Sequence, residues 1–287
     1  MSPPLGAEGS GLDALAEPLR ARVADAALIT TPRLRSELDA LILRCRARDE
    51  LVAGLGVSAT TRYRPGVRAL FTGPSGTGKT LAAGWIATKL GLPLYRVDLA
   101  SVTSKYIGET EKNLAQLLAR AEQAEVILFF DEADSLFGKR TDITDSNDRF
   151  ANAQTNYLLQ RIENYDGIVL LTSNSQARFD TAFARRIDFV IEFSQPGPEE
   201  RRAIWLSHLG AGTAISPNEL NQLAALVDFT GGHIRNVVLT AAAEAKTEDR
   251  DIRLLDLVLA TKGELRKLGK QLPVDLVVRI NGHSRGS

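Results

Sequence analysis

One cysteine in 287 residues, Cys45, excludes an intrachain disulfide and any cysteine metal cluster, and a lone thiol fits a reducing, cytoplasmic setting. An excess of either charge is also missing. The 35 Lys and Arg balance the 35 Asp and Glu, so no global field argues for a nucleic-acid or membrane partner. No apolar run approaches the roughly 20 residues a membrane-crossing helix needs. The opening Met1-Ser-Pro-Pro-Leu-Gly-Ala-Glu lacks the basic-then-apolar order of a secretory signal. The three histidines, His208, His233 and His283, show no metal-ligand spacing and read as structural or solvent-facing. Internal repeats and low-complexity stretches are absent. The remaining composition, 44% hydrophobic and 24% charged, is that of a soluble globular chain long enough for one large domain or for one medium and one small domain.

What is present is organised around Leu70 to Thr80, Leu-Phe-Thr-Gly-Pro-Ser-Gly-Thr-Gly-Lys-Thr. Gly73, four intervening residues, then Gly78-Lys79-Thr80 is the P-loop pattern. The apolar Ala69-Leu70-Phe71 before it reads as a buried strand and Leu81 to Lys89 after it as a helix. Strand, loop and helix in that order let the loop backbone of Gly73, Pro74, Ser75, Gly76, Thr77, Gly78 and Leu81, through its N–H groups, surround phosphate at the positive end of a helix dipole. Lys79 is expected to reach the β- and γ-phosphates and the Thr80 hydroxyl to hold Mg²⁺.

Downstream, strands and helices alternate. Strands are expected over Leu92–Val97, Val126–Phe130, Ile168–Ser173 and Val190–Phe193, and helices over Thr110–Gln123 and Ala151–Glu163. Strands apolar on both faces between helices predict a three-layer α/β fold with a parallel sheet. Beyond Gln195-Pro196-Gly197-Pro198 only helical patterns follow, over Glu199–Leu209, Pro217–Val227, Gly231–Lys246 and Leu254–Leu268. The expected organisation is a partly disordered leader over 1–28, with a mixed, helix-like stretch at Leu12–Leu28 broken at Pro18. A nucleotide-binding α/β domain over 29–195, a small all-α lid over 196–275 and a tail over 276–287 follow. Arg33–Leu55 carries a helical apolar stripe, and its Arg44, Arg46 and Arg48 read as a solvated face among Glu37, Asp39, Asp49 and Glu50. Trp85 and Trp205 read as packing residues.

Val126-Ile-Leu-Phe-Phe-Asp131-Glu132 is an apolar strand ending in two acids, a costly arrangement unless they face a cation or water. Asp131 is expected to orient Mg²⁺ and Glu132 to polarise an attacking water. The string Asp131-Glu-Ala-Asp134 also spells a helicase motif, but Ser58-Ala59-Thr60 precedes the P-loop instead of following the acids, and the chain is short for two helicase lobes. Leu170-Leu-Thr-Ser-Asn174 ends a further strand in an amide able to position a lytic water; on its own an Asn there is a turn residue.

Taken together, Gly73–Thr80, Ser104-Lys-Tyr-Ile-Gly-Glu-Thr-Glu-Lys112, Asp131–Asp134 and Asn174 resemble the AAA+ ATPases, specifically the AAA group that includes katanin and spastin. Leu136-Phe-Gly-Lys-Arg-Thr-Asp142, Tyr157-Leu-Leu-Gln-Arg161 and Ala182-Phe-Ala-Arg-Arg186 resemble, more narrowly, the ATPases of phage-tail-like contractile injection systems. The resemblance implies a P-loop NTPase core, ATP and Mg²⁺, a homo-oligomeric ring, hexameric on the family's pattern, and a protein substrate. It implies that Lys105, Tyr106 and Ile107 form a pore loop gripping polypeptide; packing of Tyr106 in a core is the alternative. Asp142–Phe150 falls where a second pore loop is expected. Arg185 and Arg186 match arginine fingers, which serve a neighbour's site. The pattern departs here, because the two arginines are adjacent instead of three apart around Pro-Gly, so either could be the finger. Arg235 matches the sensor-2 region, with a plain helix ion pair as the alternative.

The expected activity is therefore Mg-ATP hydrolysis by a ring that remodels, unfolds or disassembles protein assemblies, with a contractile tail or sheath component as the client the resemblance suggests. An ATP-binding scaffold switch with little turnover is the competing reading. A DNA-dependent ATPase lacks a basic patch with interleaved aromatics.

Overall fold

The computed structural model describes residues 12–20, 22–61, 63–98, 109–134, 156–174, 185–210 and 213–277. These separate into two compact units dividing after Phe193, with Ile29–Thr31 and Ser75–Gly78 grouped with the second.

The first unit is built on a six-stranded sheet. Its strands are β1 (Ala16–Pro18), β2 (Val67–Thr72), β3 (Leu94–Val97), β4 (Ile127–Phe130), β5 (Ile168–Ser173) and β6 (Phe189–Glu192), in the order β1-β3-β4-β5-β2-β6. Strands β2 to β6 pair in parallel and each pairing places a crossover between them. The pleat sends alternate residues to opposite faces. Leu70, Leu128, Phe130, Val169 and Leu171 enter one core with Leu114, Leu117 and Leu118 of α4 (Glu109–Gln123) and with Leu158 and Ile162 of a helix over 156–163, here α5. Ala69, Phe71, Ile127, Phe129 and Leu170 enter the other with Leu38, Leu41 and Ile42 of α1 (Pro32–Ala47) and Ala82, Trp85 and Ile86 of α3 (Lys79–Leu90). That is the three-layer arrangement the unbroken apolar strands required.

Two elements differ from the sequence reading. The sheet is mixed, not wholly parallel: Ala16–Pro18 runs antiparallel to β3, pairing Ala16 with Val97 and Pro18 with Tyr95. The stretch expected as a broken helix is this strand between two 3₁₀ turns, Leu12–Ala14 and Asp25–Ala27. Ala-Glu-Pro has poor strand propensity, but at a sheet edge proline's missing N–H costs nothing, and Leu12 and Ala16 are buried in the first core. The helix expected over Arg33–Leu55 ends at Ala47, and the chain turns through Gly54, φ +94°, into a single helical turn, α2 (Val57–Thr60).

The second unit packs four helices, α6 (Pro198–Leu209), α7 (Pro217–Leu226), α8 (Gly231–Thr247) and α9 (Leu254–Lys267), around Trp205, Leu223, Phe229, Ile234, Val237 and Leu257. Prolines open α6 and α7 at the position where no N–H is needed, and Ser216 with Glu219 forms a complete capping box on α7. Arg201 is buried inside this unit, its guanidinium donating to the carbonyls of Pro196 and Ala224 and pairing with Asp228. Among the described residues no helix is long and apolar enough to cross a membrane.

Candidate nucleotide site

The sheet order brings together side chains far apart in sequence. β2 lies beside β5 and β5 beside β4, so the chain segments leaving their carboxyl ends, Gly73–Pro74, Asn174 and Asp131–Glu132, emerge next to one another. The crevice outside the carboxyl ends of parallel strands is where open α/β sheets bind ligands.

Gly73 adopts φ +138°, and a Cβ there would lie 2.0 Å from the Phe193 carbonyl oxygen, so only glycine fits. Gly78 is also left-handed, φ +100°, and delivers the chain into α3 with Lys79 as its first residue. Lys79 is 7% exposed, and its Nζ donates to the Gly73 carbonyl (2.6 Å), the Pro74 carbonyl (2.9 Å) and Asn174 Oδ1 (2.9 Å). Burial lowers its pKa below the usual lysine value, against the opposing pull of Asp131, Asp134 and Glu132. The ammonium is thus desolvated and held by neutral dipoles with carboxylates nearby.

Thr80 Oγ1 donates to Asp131 Oδ2 at 3.4 Å, and Thr172 Oγ1 donates to Asp131 Oδ1 at 2.7 Å. The same Thr172 hydroxyl accepts from the Glu132 N–H at 2.9 Å. Glu132 has φ +51°, a left-handed conformation that costs a non-glycine residue about 1–2 kcal/mol, and its side chain is exposed. Asp134 turns back onto β5, accepting from Ser173 Oγ at 2.5 Å and from the Asn174 N–H at 3.1 Å.

Lys79, Thr80, Asp131 and Asn174, singled out from the sequence, therefore meet in one place, with Glu132 beside them. Thr172, Ser173 and Asp134 were missed as site residues. Thr172-Ser173 reads as the end of a buried strand, and only the β4–β5 register, with Phe130 opposite Leu171, reveals that Thr172 faces Asp131. Leu81 lies on α3, 40% exposed. Arg186 forms an ion pair with Glu163 at 3.3 Å, both side chains half-exposed, while Arg185 is exposed and makes no ion pair with a described residue. Arg235 is exposed on α8 of the second unit. Lys105, Tyr106, Ile107 and Asp142–Phe150 lie outside the described residues.

Residues 69–195 match the ATPase family associated with various cellular activities, AAA, and residues 197–265 match the contractile injection system ATPase helical domain. Residues 69–195 are thus similar to an AAA domain, and residues 197–265 to an injection-system helical domain. An uncharacterised AAA family ATPase of Sinorhizobium fredii is 40% identical over 129 residues, 44% of this chain and 38% of that protein. Spastin of Gallus gallus is 29% identical over 263 residues, 83% of this chain and 41% of spastin. This chain thus spans less than half the length of either relative. The solved AAA domain of FIGL-1, in a structure described as a complex with ADP, superposes with a TM-score of 0.65 at 21% identity, over 94% of this chain and 91% of that one, and shares the fold of this AAA domain.

Proposed function

We propose that this AAA chain hydrolyses Mg-ATP within a homo-oligomeric ring, a hexamer on the family's pattern, and uses the energy to remodel a protein assembly. The observation that carries the reading is the convergence of Lys79, Thr80, Asp131 and Asn174 at adjacent strand ends, with Glu132 exposed beside them.

These residues fit a bound nucleotide. Lys79 and the backbone of Gly73–Leu81 would hold the phosphates, in the loop whose close backbone approach only glycine at 73 permits. Thr80 and Asp131 would hold Mg²⁺, which neutralises phosphate charge when bound. Lys79 donates all three of its N–H bonds to oxygens of its own chain, so phosphate must displace at least one of them. Exchange of the Asn174 bond would release the amide to orient a water, and Glu132, whose carboxylate makes no hydrogen bond or ion pair with a described residue, would polarise it.

We further assign Arg185 as the finger offered to a neighbouring subunit, because Arg186 is engaged with Glu163. Arg235 is assigned as the sensor-2 residue and Lys105, Tyr106 and Ile107 as the substrate-gripping loop, on the family pattern. The helical domain match supports a contractile tail or sheath component as client. The ion pair that withdraws Arg186 also favours the second reading, an ATP-binding switch with little turnover.

ATPase rate per subunit against protein concentration, with Glu132→Gln as control, decides between them. A steep rise abolished by Glu132→Gln is expected. A flat, substantial rate would sink the ring, and tight ATP binding without turnover would favour the switch.

A further inference from the structure

The second unit contains a cavity of about 540 Å³ along α9 and the chain that follows it. Its apolar lining comes from Leu259, Leu272 and Val277, with Leu259 and Val277 remaining 43% and 36% exposed. Its charged lining is of one sign: Lys262, Arg266 and Lys270, none in an ion pair with a described residue. The nearby Glu264 is already taken by Lys267 at 2.6 Å.

Gly263, inside α9, also lines this cavity. Glycine is the poorest helix former after proline. Nothing in the backbone demands it, since its φ is not left-handed, and nothing in the packing does, since a Cβ would meet no heavy atom within 4 Å. What its missing side chain provides is the open space. Five of the eight lining residues follow residue 265, where the helical-domain match ends.

We propose that this cavity docks a short acidic peptide segment of a partner protein, which inserts an apolar side chain over Gly263 and sets its carboxylates against Lys262, Arg266 and Lys270. Charge complementarity selects this occupant. Residues 278–287 of the same chain carry Arg279 and Arg285 and no acid, the wrong sign for a cationic cavity.

Fluorescence polarisation of the full chain with a labelled peptide alternating Glu and Leu tests the proposal, with Lys–Leu and Glu–Ser peptides as controls. The Glu–Leu peptide should bind saturably and weaken with added salt. Filling the cavity by Gly263→Phe should weaken it about tenfold or more, the loss expected when one apolar side chain is denied burial. Gly263→Phe should keep ATP turnover, which separates this result from the ATPase reading. The paired charge reversals Lys262→Glu and Lys270→Glu should abolish binding while leaving the space over Gly263 open. Equal binding of all three peptides, or Glu–Leu binding indifferent to Gly263→Phe, overturns the proposal. So does binding that appears only after residues 278–287 are removed, which would assign the cavity to the chain's own end. Self-association lost in Gly263→Phe, without peptide binding, would assign it to a second copy and equally overturn it.

Discussion

Thr172 illustrates how much a single hydroxyl can organise. It is 1% exposed, donates to Asp131 and accepts from the N–H of Glu132, so it orients one acid and supports the left-handed turn that displays the next. Thr172→Val keeps the shape and removes both bonds. Leaving a buried donor and acceptor unpaired costs about 1–3 kcal/mol, so a lowered unfolding temperature is expected by calorimetry. If Asp131 is the metal residue, the variant also needs more Mg²⁺ for half-maximal turnover, while nucleotide binding without Mg²⁺ changes little. An unchanged Mg²⁺ dependence would reduce Thr172 to a structural role. Cys45, by contrast, has no comparable role: burial pushes its thiol up to about 12, so it stays an unreactive packing group on α1's own core face.

At the scale of elements, the start of α9 is held by a charge pair whose pH dependence is readable. Arg250 donates to both Asp256 oxygens, at 2.6 and 2.9 Å, and Asp256 also accepts the Arg253 N–H at 2.8 Å. Burial pushes the Asp256 carboxyl up, but the Arg250 and backbone bonds together outweigh it and hold the group below the usual carboxylate range. A carboxylate whose folded pKa is depressed stabilises the fold above its unfolded value, near 3.9, and loses that contribution as the pH falls through the folded value. Arg250→Gln should therefore lower the unfolding temperature at pH 7, with the gap from the parent chain narrowing as the pH drops below about 4. A gap constant with pH would mean that packing of the arginine stem, not its charge, matters. The N-terminal segment shows a second element-scale device. Asp25 accepts from Trp85 Nε1 at 2.7 Å and pairs with Lys89 at 3.1 Å, tying the 3₁₀ turn at Asp25–Ala27 to α3, the helix that Lys79 opens.

For the whole molecule, the proposed ring makes a prediction that no single subunit can mimic. Glu132→Gln subunits would have a disabled site but an intact Arg185, and Arg185→Ala subunits the reverse. If the finger serves a neighbour, mixing the two inactive variants should restore part of the turnover, because mixed rings contain sites with an intact Glu132 facing an intact Arg185. No recovery on mixing, with both variants folded and binding ATP, would count against a shared site. Such an arginine is worth about 10³ to 10⁵ in rate, so even a minority of complemented sites is measurable in a steady-state assay.

Much of this was available from the amino-acid order. Strands β2 to β6 and helices α6 to α9 were placed within a residue or two, because unbroken apolar runs and helical apolar periodicity are local signals. Lys79, Thr80, Asp131 and Asn174 were also singled out by motif order, the first two by the spacing of a phosphate loop and the others by their places at strand ends, and the fold brings the four together; their roles toward a nucleotide belong to the proposal. Three things belonged to the folded chain alone. Ala16–Pro18 has no strand propensity of its own and became β1 only where β3 offered an open edge. The two adjacent arginines are chemically alike, and only the placement of Glu163 distinguishes Arg186 from Arg185. Thr172 and Gly263 read as ordinary strand and helix residues; their significance comes from strand register in one case and surrounding empty space in the other, and neither is a property of nearby sequence.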